Sequence, residues 1–430
     1  MNEVTIEHVG ATDTTLTGRV TADGRVDRFL SGEPFVADYG VDVSDVPESI
    51  LTVPVLAHVC PVAWATGATV RVDRVDAAFL ETLRHVGERL CEMYPTFMEG
   101  GRIVCGEAVE GDEPGTRDRS AMLFTGGVDS MATYVRHREE TPDLISIKGW
   151  VIRDDDRWER NREYFQEFAA AHGVDNRFVE SNMLDFLATP LLQAHFQRYL
   201  DGAWYSSVGH GLGLLGLCAP LAVATDVGQL YIAATHTGEW TRPWGSHPTI
   251  DDHVQWSGTQ AVHDGYESTR QEKIETIADY VRSDAPDLTL RTCIHSERPE
   301  NCNDCEKCYR TIVGLLLAGL DPNDHGYAYD AGTVDEIRDG FESGEWVLIP
   351  TKEYHWGILQ TRANEVETID APGATELLTW LRNADFGQYV DQSDRPLKHR
   401  LVQATARQVP TPVYSTLYPV YRQVATNRTK

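Results

Sequence analysis

The amino-acid sequence predicts an α/β protein, and three observations carry that expectation. From Ser120 onward, short apolar runs alternate with amphipathic segments of helical period, the pattern of a parallel sheet with crossover helices. A Gly-Gly turn separates the first such run from the first such helix. The composition is that of a globular chain: 430 residues, 41% hydrophobic and 24% charged, enough for a sizeable core and two or three domains.

Taken in order, residues 1–118 are expected to form an α+β domain. Val4 to Val9, Leu51 to His58 and Thr69 to Asp73 carry short alternating segments. Phe79, Leu80, Leu83, Val86, Leu90 and Met93 then recur at helical spacing and form one buried face. The polar stretch 110–118, with Gly111, Pro114 and Gly115, reads as a linker. Residues 119–320 follow as the α/β domain. Its elements are a strand at Ala121 to Phe124, a helix at Met131 to Arg138, a strand at Leu144 to Ile152 and a helix at Trp158 to Ala171 closed by Gly173. A strand near Arg177 to Val179, a broken helical region from Met183 to Ala224 and a strand at Leu230 to Ala234 come next. A helix at Ser268 to Val281 leads into a cysteine cluster, and one at Tyr309 to Leu317 leaves it. Residues 321–430 form a mixed C-terminal extension with Trp346 to Ile349, Tyr354 to Leu359 and a helix at Glu376 to Arg382.

The formal charge is −28 with neutral histidines, and 32 arginines stand against six lysines. A well-patterned chain this acidic and lysine-poor reads as salt-adapted, or halophilic, because carboxylates keep a protein soluble where salt screens charge within a few ångströms. The charge disfavours nucleic-acid partners, yet in a wholly acidic proteome its sign decides little, so that class stays open. The N-terminus has neither the basic start nor the apolar core of a secretory signal. The most apolar run, Leu212 to Ala224, is short for a span and contains Pro220. A cytoplasmic protein without membrane association is therefore expected. Eight cysteines, four of them scattered and four clustered, point to a reducing compartment and a metal rather than disulfides.

Thr125-Gly126-Gly127-Val128-Asp129-Ser130 lies directly after a strand and before a helix. Adjacent glycines let successive backbone N–H groups converge, and the helix start adds partial positive charge, which makes an anion cradle. Thr125 and Ser130 add hydroxyls, and Asp129 can hold the turn or a magnesium ion. A plain glycine turn with Asp129 as local cap is the alternative. Cys293, Cys302, Cys305 and Cys308 are spaced C-x8-C-x2-C-x2-C, which suits a closed, structural tetrahedral zinc site; an iron–sulfur cluster fits less well.

Thr-Gly-Gly-Val-Asp-Ser resembles the Ser-Gly-Gly-x-Asp-Ser signature of the PP-loop ATP pyrophosphatases, with Thr125 at the first serine. Together with the cysteine spacing one domain downstream, it is similar to the 7-cyano-7-deazaguanine synthases of the queuosine and archaeosine pathway. The resemblance covers roughly residues 120–320. It implies a Rossmann-like parallel sheet of the adenine nucleotide alpha-hydrolase-like type, ATP and Mg2+ as cofactors, and a structural Zn2+ on the four cysteines. It also implies adenylation of a carboxylate or amide-like oxygen, pyrophosphate release, and attack by ammonia or another amine. Thr125 to Ser130 would hold the phosphates. Asp129 and Ser130 would act with Lys273 and Arg310, the last two stabilising the phosphates or the charge on the acyl-adenylate; a solvated Lys273 and a helix-facing Arg310 are the alternatives.

The expected partners are thus a small-molecule carboxylate, deazaguanine-like or other, and an amine donor, with a homodimer left open. The segment 235–251 lacks the aspartate-rich pattern expected around a deazaguanine, which favours a different substrate; Trp240, Trp244, His247 and Asp251 are its pocket candidates. Arg153-Asp154-Asp155-Asp156-Arg157 either contacts the nucleotide sugar or forms a solvated acidic loop. The other readings are a tRNA-modifying adenylating enzyme and a non-catalytic ATP-binding sensor or scaffold.

Overall fold

Eleven strands pair into one sheet in the computed structural model, which describes residues 2–113, 115–200, 202–293, 300–346, 348–390 and 413. In chain order they are β1 (Glu3–Thr12), β2 (Thr15–Asp23), β3 (Phe35–Asp38), β4 (Thr69–Asp76), β5 (Arg102–Val109), β6 (Arg119–Leu123), β7 (Asp143–Lys148), β8 (Asn176–Ser181), β9 (Val227–Ala233), β10 (Gln255–Trp256) and β11 (Thr259–Asp264). Their order across the sheet is β10-β11-β9-β6-β7-β8-β3-β2-β1-β4-β5. The run β11-β9-β6-β7-β8 is parallel throughout, as the alternation of strands and helices requires. β3 joins it to the N-terminal strands by antiparallel pairing with β8, Ala37 opposite Ser181. Residues before and after position 118 therefore share one sheet. The sequence pattern names no strand at β2, β3, β5, β10 or β11.

The main helices of the first half are α1 (Glu48–Thr66), α2 (Ala77–Met93), α3 (Val128–His137) and α4 (Asp155–His172). α1 occupies the segment whose Leu51 to His58 portion alternates like a strand. Every residue from Ser49 to Thr66 is buried, so no polar face marks the helical period, and Pro54 and Pro61 further mask it. Gly67 ends the helix at φ 62°, the left-handed conformation in which glycine meets no Cβ penalty. The sheet curls around α1 until its two ends approach: Gly258 N–H donates to Asp112 O (3.0 Å) and Gly115 N–H to Gly258 O (3.2 Å).

Two apolar cores result. One gathers α1, the N-terminal strands, Ala121, Ile145, Leu215 and Leu230. The other packs α3 and α4 with helices Arg270–Ser283, Glu306–Leu317, Thr333–Glu342, Pro350–Glu365 and Ala374–Asn383. The stretch Tyr354 to Leu359 of the mixed tail is thus helical, with Trp356 fully buried. Glu48–Thr66 and Tyr205–Ala224 are long and apolar enough to cross a membrane by composition, and both are packed inside the protein. The second contains the Leu212 to Ala224 run, which breaks into helices His210–Leu217 and Ala219–Ala224 beside Pro220.

Asp264, at the carboxyl end of β11, anchors α3. Its carboxylate accepts from Thr133 Oγ1 (2.6 Å) and Arg136 Nε (3.1 Å), pairs with Arg136 Nη2, and meets His137 Nε2 at 3.1 Å. Burial alone would raise its pKa, but His137, Arg136 and Thr133 together hold it well below the ordinary carboxylate range. A depressed folded-state pKa gives stability that is present above the unfolded value near pH 4 and is lost as pH falls below it. Asp264→Ala should therefore cost about 3 kcal/mol near neutral pH. In denaturation followed by tryptophan fluorescence, the gap to the wild type should narrow on acidification.

Candidate phosphate loop and metal centre

β6 and β9 are neighbours from which the chain proceeds to opposite sides of the sheet, so a crevice opens at their carboxyl ends. The loop from Thr125 to Gly127 lies there and runs into α3. Gly126 has φ +70°, and a Cβ on it would fall 2.6 Å from Tyr164 Cε1. Ser130 Oγ accepts from Thr125 N–H (3.3 Å), donates to Gly127 O (3.2 Å) and lies 3.2 Å from Thr125 Oγ1. Thr125 and Ser130 thus close the turn on one another, as hydroxyls at these two positions permit. Beside the loop is a cavity of about 300 Å3, walled by Thr125, Gly127 to Ser130, Trp150, Arg157, His210, Arg270, Arg291, Cys293 and Lys307 among others.

Asp129 points into a group of cations. Its Oδ2 pairs with Arg270 Nη2; its buried Oδ1 accepts no hydrogen bond and lies 3.9 Å from Lys273 Nζ. Lys273 is 1% exposed and donates to Ala234 O (2.6 Å) just past the end of β9, so it links the two strands that flank the crevice. Burial pushes its pKa down, with Arg270 and Arg136 adding to the effect and Asp129 opposing it. Lys307 also has a lowered pKa, about 8, chiefly from burial and then from Arg270. The buried Lys273 replaces the solvated alternative. Arg310 is buried too, and neither it nor Lys273 lines the cavity. Arg310 sits 3.5 Å from Glu306 Oε1 with its Nη1 free of hydrogen bonds, and burial lowers its pKa to about 10.

The candidates on 235–251 divide. Trp240 stacks on His236 (4.6 Å between centroids, 8° between planes), and Trp244 meets the same ring edge-on at 5.2 Å. His247 caps the short turn Pro248–Asp251 through Thr249 N–H (3.1 Å). Asp251 is fully buried and takes Ser246 Oγ (2.6 Å) and His263 Nδ1 (2.7 Å), a structural engagement. None of these four lines the cavity beside the loop. In the acidic stretch, Asp154 caps α4 through Arg157 N–H (2.8 Å), Arg153 pairs with Asp185, and Arg157 reaches the cavity wall.

The four cysteines converge: the sulfurs of Cys293, Cys302, Cys305 and Cys308 lie within 4.8 Å of one another. Cys302–Cys308 is 3.7 Å and Cys305–Cys308 is 3.5 Å. Sulfurs about 2.3 Å from a tetrahedral zinc are separated by about 3.8 Å, so the set fits that ion. Asn301 ties the two arms together, its Oδ1 accepting from Thr292 and Cys293 N–H (both 3.0 Å). Residues 294–299 lie outside the described residues. The hydrogen bond with Cys308, opposed by burial and aided by backbone N–H groups at Cys308 and Lys307, lowers the pKa of Cys305. The other four cysteines are free thiols.

Arg270, Arg291 and Lys307 join the site without having been predicted. Their signal was nonetheless local, since Arg270 precedes Lys273 by less than one helical turn and Lys307 lies inside the last C-x2-C. With six lysines in the chain, two at one site is itself a signal.

Fold and site together define an α/β protein with a large, mostly parallel sheet, a glycine loop at its switch point and a four-cysteine cluster able to hold a metal such as zinc. No family model, curated protein or solved structure matches the chain.

Elemental analysis of purified protein should find one zinc per chain, and Cys305→Ser should lose it. Chelation should raise hydrogen exchange across Cys302 to Leu317 before the remainder of the sheet opens.

Proposed function

We propose that the protein is an ATP-dependent adenylating enzyme of the PP-loop kind. The observation that carries this reading is the Thr125–Ser130 loop at the switch point, with Arg270, Lys273 and Lys307 gathered around Asp129 in a chain of net charge −28. So many cations concentrated around one carboxylate leave a surplus of positive charge and N–H donors, which a polyphosphate matches.

In this reading the N–H groups of Gly126 to Val128 and the hydroxyls of Thr125 and Ser130 cradle the β- and γ-phosphates. Asp129, whose Oδ1 is unengaged, offers a ligand to the magnesium ion that accompanies ATP. Arg270 releases Asp129 and turns to phosphate. Lys273 and Lys307 offset the charge that builds on the departing pyrophosphate. An acceptor carboxylate or amide-like oxygen attacks the α-phosphorus, the bond to the bridging oxygen breaks, and pyrophosphate leaves. Ammonia or an amine then attacks the adenylated carbon and AMP departs. No side chain of the protein forms a covalent intermediate; catalysis rests on positioning and fixed charge. Arg310, off the cavity wall and 3.5 Å from Glu306, adds positive charge from the helix that begins at the metal cluster.

The acceptor is a small carboxylate, of deazaguanine type or another. His236, Trp240 and Trp244 form an aromatic group near the carboxyl end of β9 suited to a flat substrate.

Phosphorus NMR with Mg-ATP and ammonium in molar potassium chloride, with and without 7-carboxy-7-deazaguanine, tests the reading. AMP and pyrophosphate should form only with an acceptor present. A metabolite extract that replaces the deazaguanine would identify another acceptor, whereas bound and uncleaved ATP under every condition would contradict catalysis. Asp129→Ala together with Ser130→Ala should abolish the cleavage. Lys273→Met should lower its rate by about 100-fold, the size of effect seen when one fixed transition-state donor is removed.

A further inference from the structure

The two ends of the sheet differ sharply. At one end β10 has two residues, short enough to offer no template. At the other, β5 runs for eight residues, is half-exposed to exposed along its length, pairs only with β4, and carries no proline. Among the described residues no other backbone group pairs with β5. An edge this long and uncovered is a site for strand addition.

The sequence of β5 says what could add. Lay a second copy antiparallel to it, centred on Gly106. Arg102 then faces Glu110 of the second copy, Ile103 faces its Val109, Val104 faces its Ala108, and Cys105 faces its Glu107. Each pair joins positions an even number apart, so both members lie on the same face of the extended sheet. Two of these pairs are apolar, the Arg102–Glu110 ends are opposite in sign, and the Glu107 that meets Cys105 is the one charged group set against an uncharged side chain. Glu107 is already held by Arg74 Nε (2.9 Å), while Arg102 and Glu110 are exposed and have no ion-pair partner among the described residues. Between β5 and α2 lies an open groove of about 740 Å3 with Trp64, Leu80, Leu83, Cys91, Ile103 and Cys105 in its wall. A strand added to β5 would border that groove and shield its apolar side.

We infer that the free edge of β5 is a self-association surface, on which a second copy of this chain pairs antiparallel about Gly106 to make a two-fold symmetric dimer with one continuous sheet. A two-fold contact repeats each pair, so the Arg102–Glu110 contact occurs twice. The interface lies outside the nucleotide cavity and does not depend on the proposed chemistry.

The test is a charge swap in the full-length protein, read by sedimentation equilibrium in potassium chloride from moderate to molar concentration. Wild type should equilibrate toward twice the 48.0 kDa chain mass. Arg102→Glu and Glu110→Arg each place like charges opposite one another and should weaken dimerisation by about tenfold at the lower salt. The double swap should restore it to near the wild-type value, a recovery that misfolding cannot produce.

Independent of salt, Ile103→Cys combined with Val109→Cys should give a disulfide-linked dimer on mild oxidation. Directly opposed antiparallel residues lie about 4.5 to 5.5 Å apart at Cα, within disulfide range. Neither single variant should cross-link to that extent. A monomeric wild type at high micromolar concentration would overturn the inference and leave the edge to an extended segment of another protein. A dimer indifferent to the swaps and to the cysteine pair would overturn it in favour of another surface.

Discussion

A helix with no polar face cannot rest on a surface, and much of this fold follows from covering α1. From Ser49 to Thr66 it presents Ile50, Leu51, Val53, Val55, Leu56, Val59, Val62 and Trp64 in every direction. Each large apolar side chain kept from water contributes about 1.5 to 3 kcal/mol, so leaving even one stripe exposed would be costly. A flat sheet covers one side only. The eleven strands instead curl, and the helical region from Tyr205 to Ala224 packs beside α1. For this reason the N-terminal strands continue the sheet of the α/β half, with β3 and β8 as the joint.

On the other face of the parallel strands a different economy operates. The chain is strongly acidic, yet the crevice at the ends of β6 and β9 is rich in cations. Arg270, Lys273, Lys307 and Arg310 share Asp129 and Glu306 as their nearby carboxylates. Keeping such charges buried is unfavourable unless something negative completes the set, and the lowered pKa values of Lys273, Lys307 and Arg310 express that cost.

Glu306 links this crevice to the metal cluster and to the C-terminal helices. It stands between Cys305 and Cys308, accepts from Trp356 Nε1 (2.9 Å), and lies 3.5 Å from both Arg310 and Lys352. Tyr354, beside Trp356 on the same helix, reaches Thr237 Oγ1 (2.7 Å) on the loop after β9. The cysteine cluster fixes where the Glu306–Leu317 helix begins, and the C-terminal helices brace it from outside.

Local chemistry was legible in the sequence wherever a few neighbouring residues suffice. The glycine loop, the four cysteines, the strand and helix order from Ser120 and the buried face of α2 all belong to this class. Periodicity failed for Leu51 to His58 because a helix buried on all sides has no hydrophobic period to read. It also missed β2, β3, β5, β10 and β11, too short or too mixed to stand out. The approach of Arg270 and Lys307 to Asp129, the place of Arg291 in the same cavity wall, and the burial of Lys273 depend on contacts between positions far apart in the chain, which spacing along the chain does not encode. The sequence by itself determined which groups could bind phosphate or metal, because those depend on residue type and short-range geometry. Only the tertiary structure decided that the loop, Arg270, Arg291 and Lys307 share one crevice with Cys293, that Arg310 is buried off its wall, and that β5 is left with an open edge, because sheet order and the curl around α1 are properties of the whole chain.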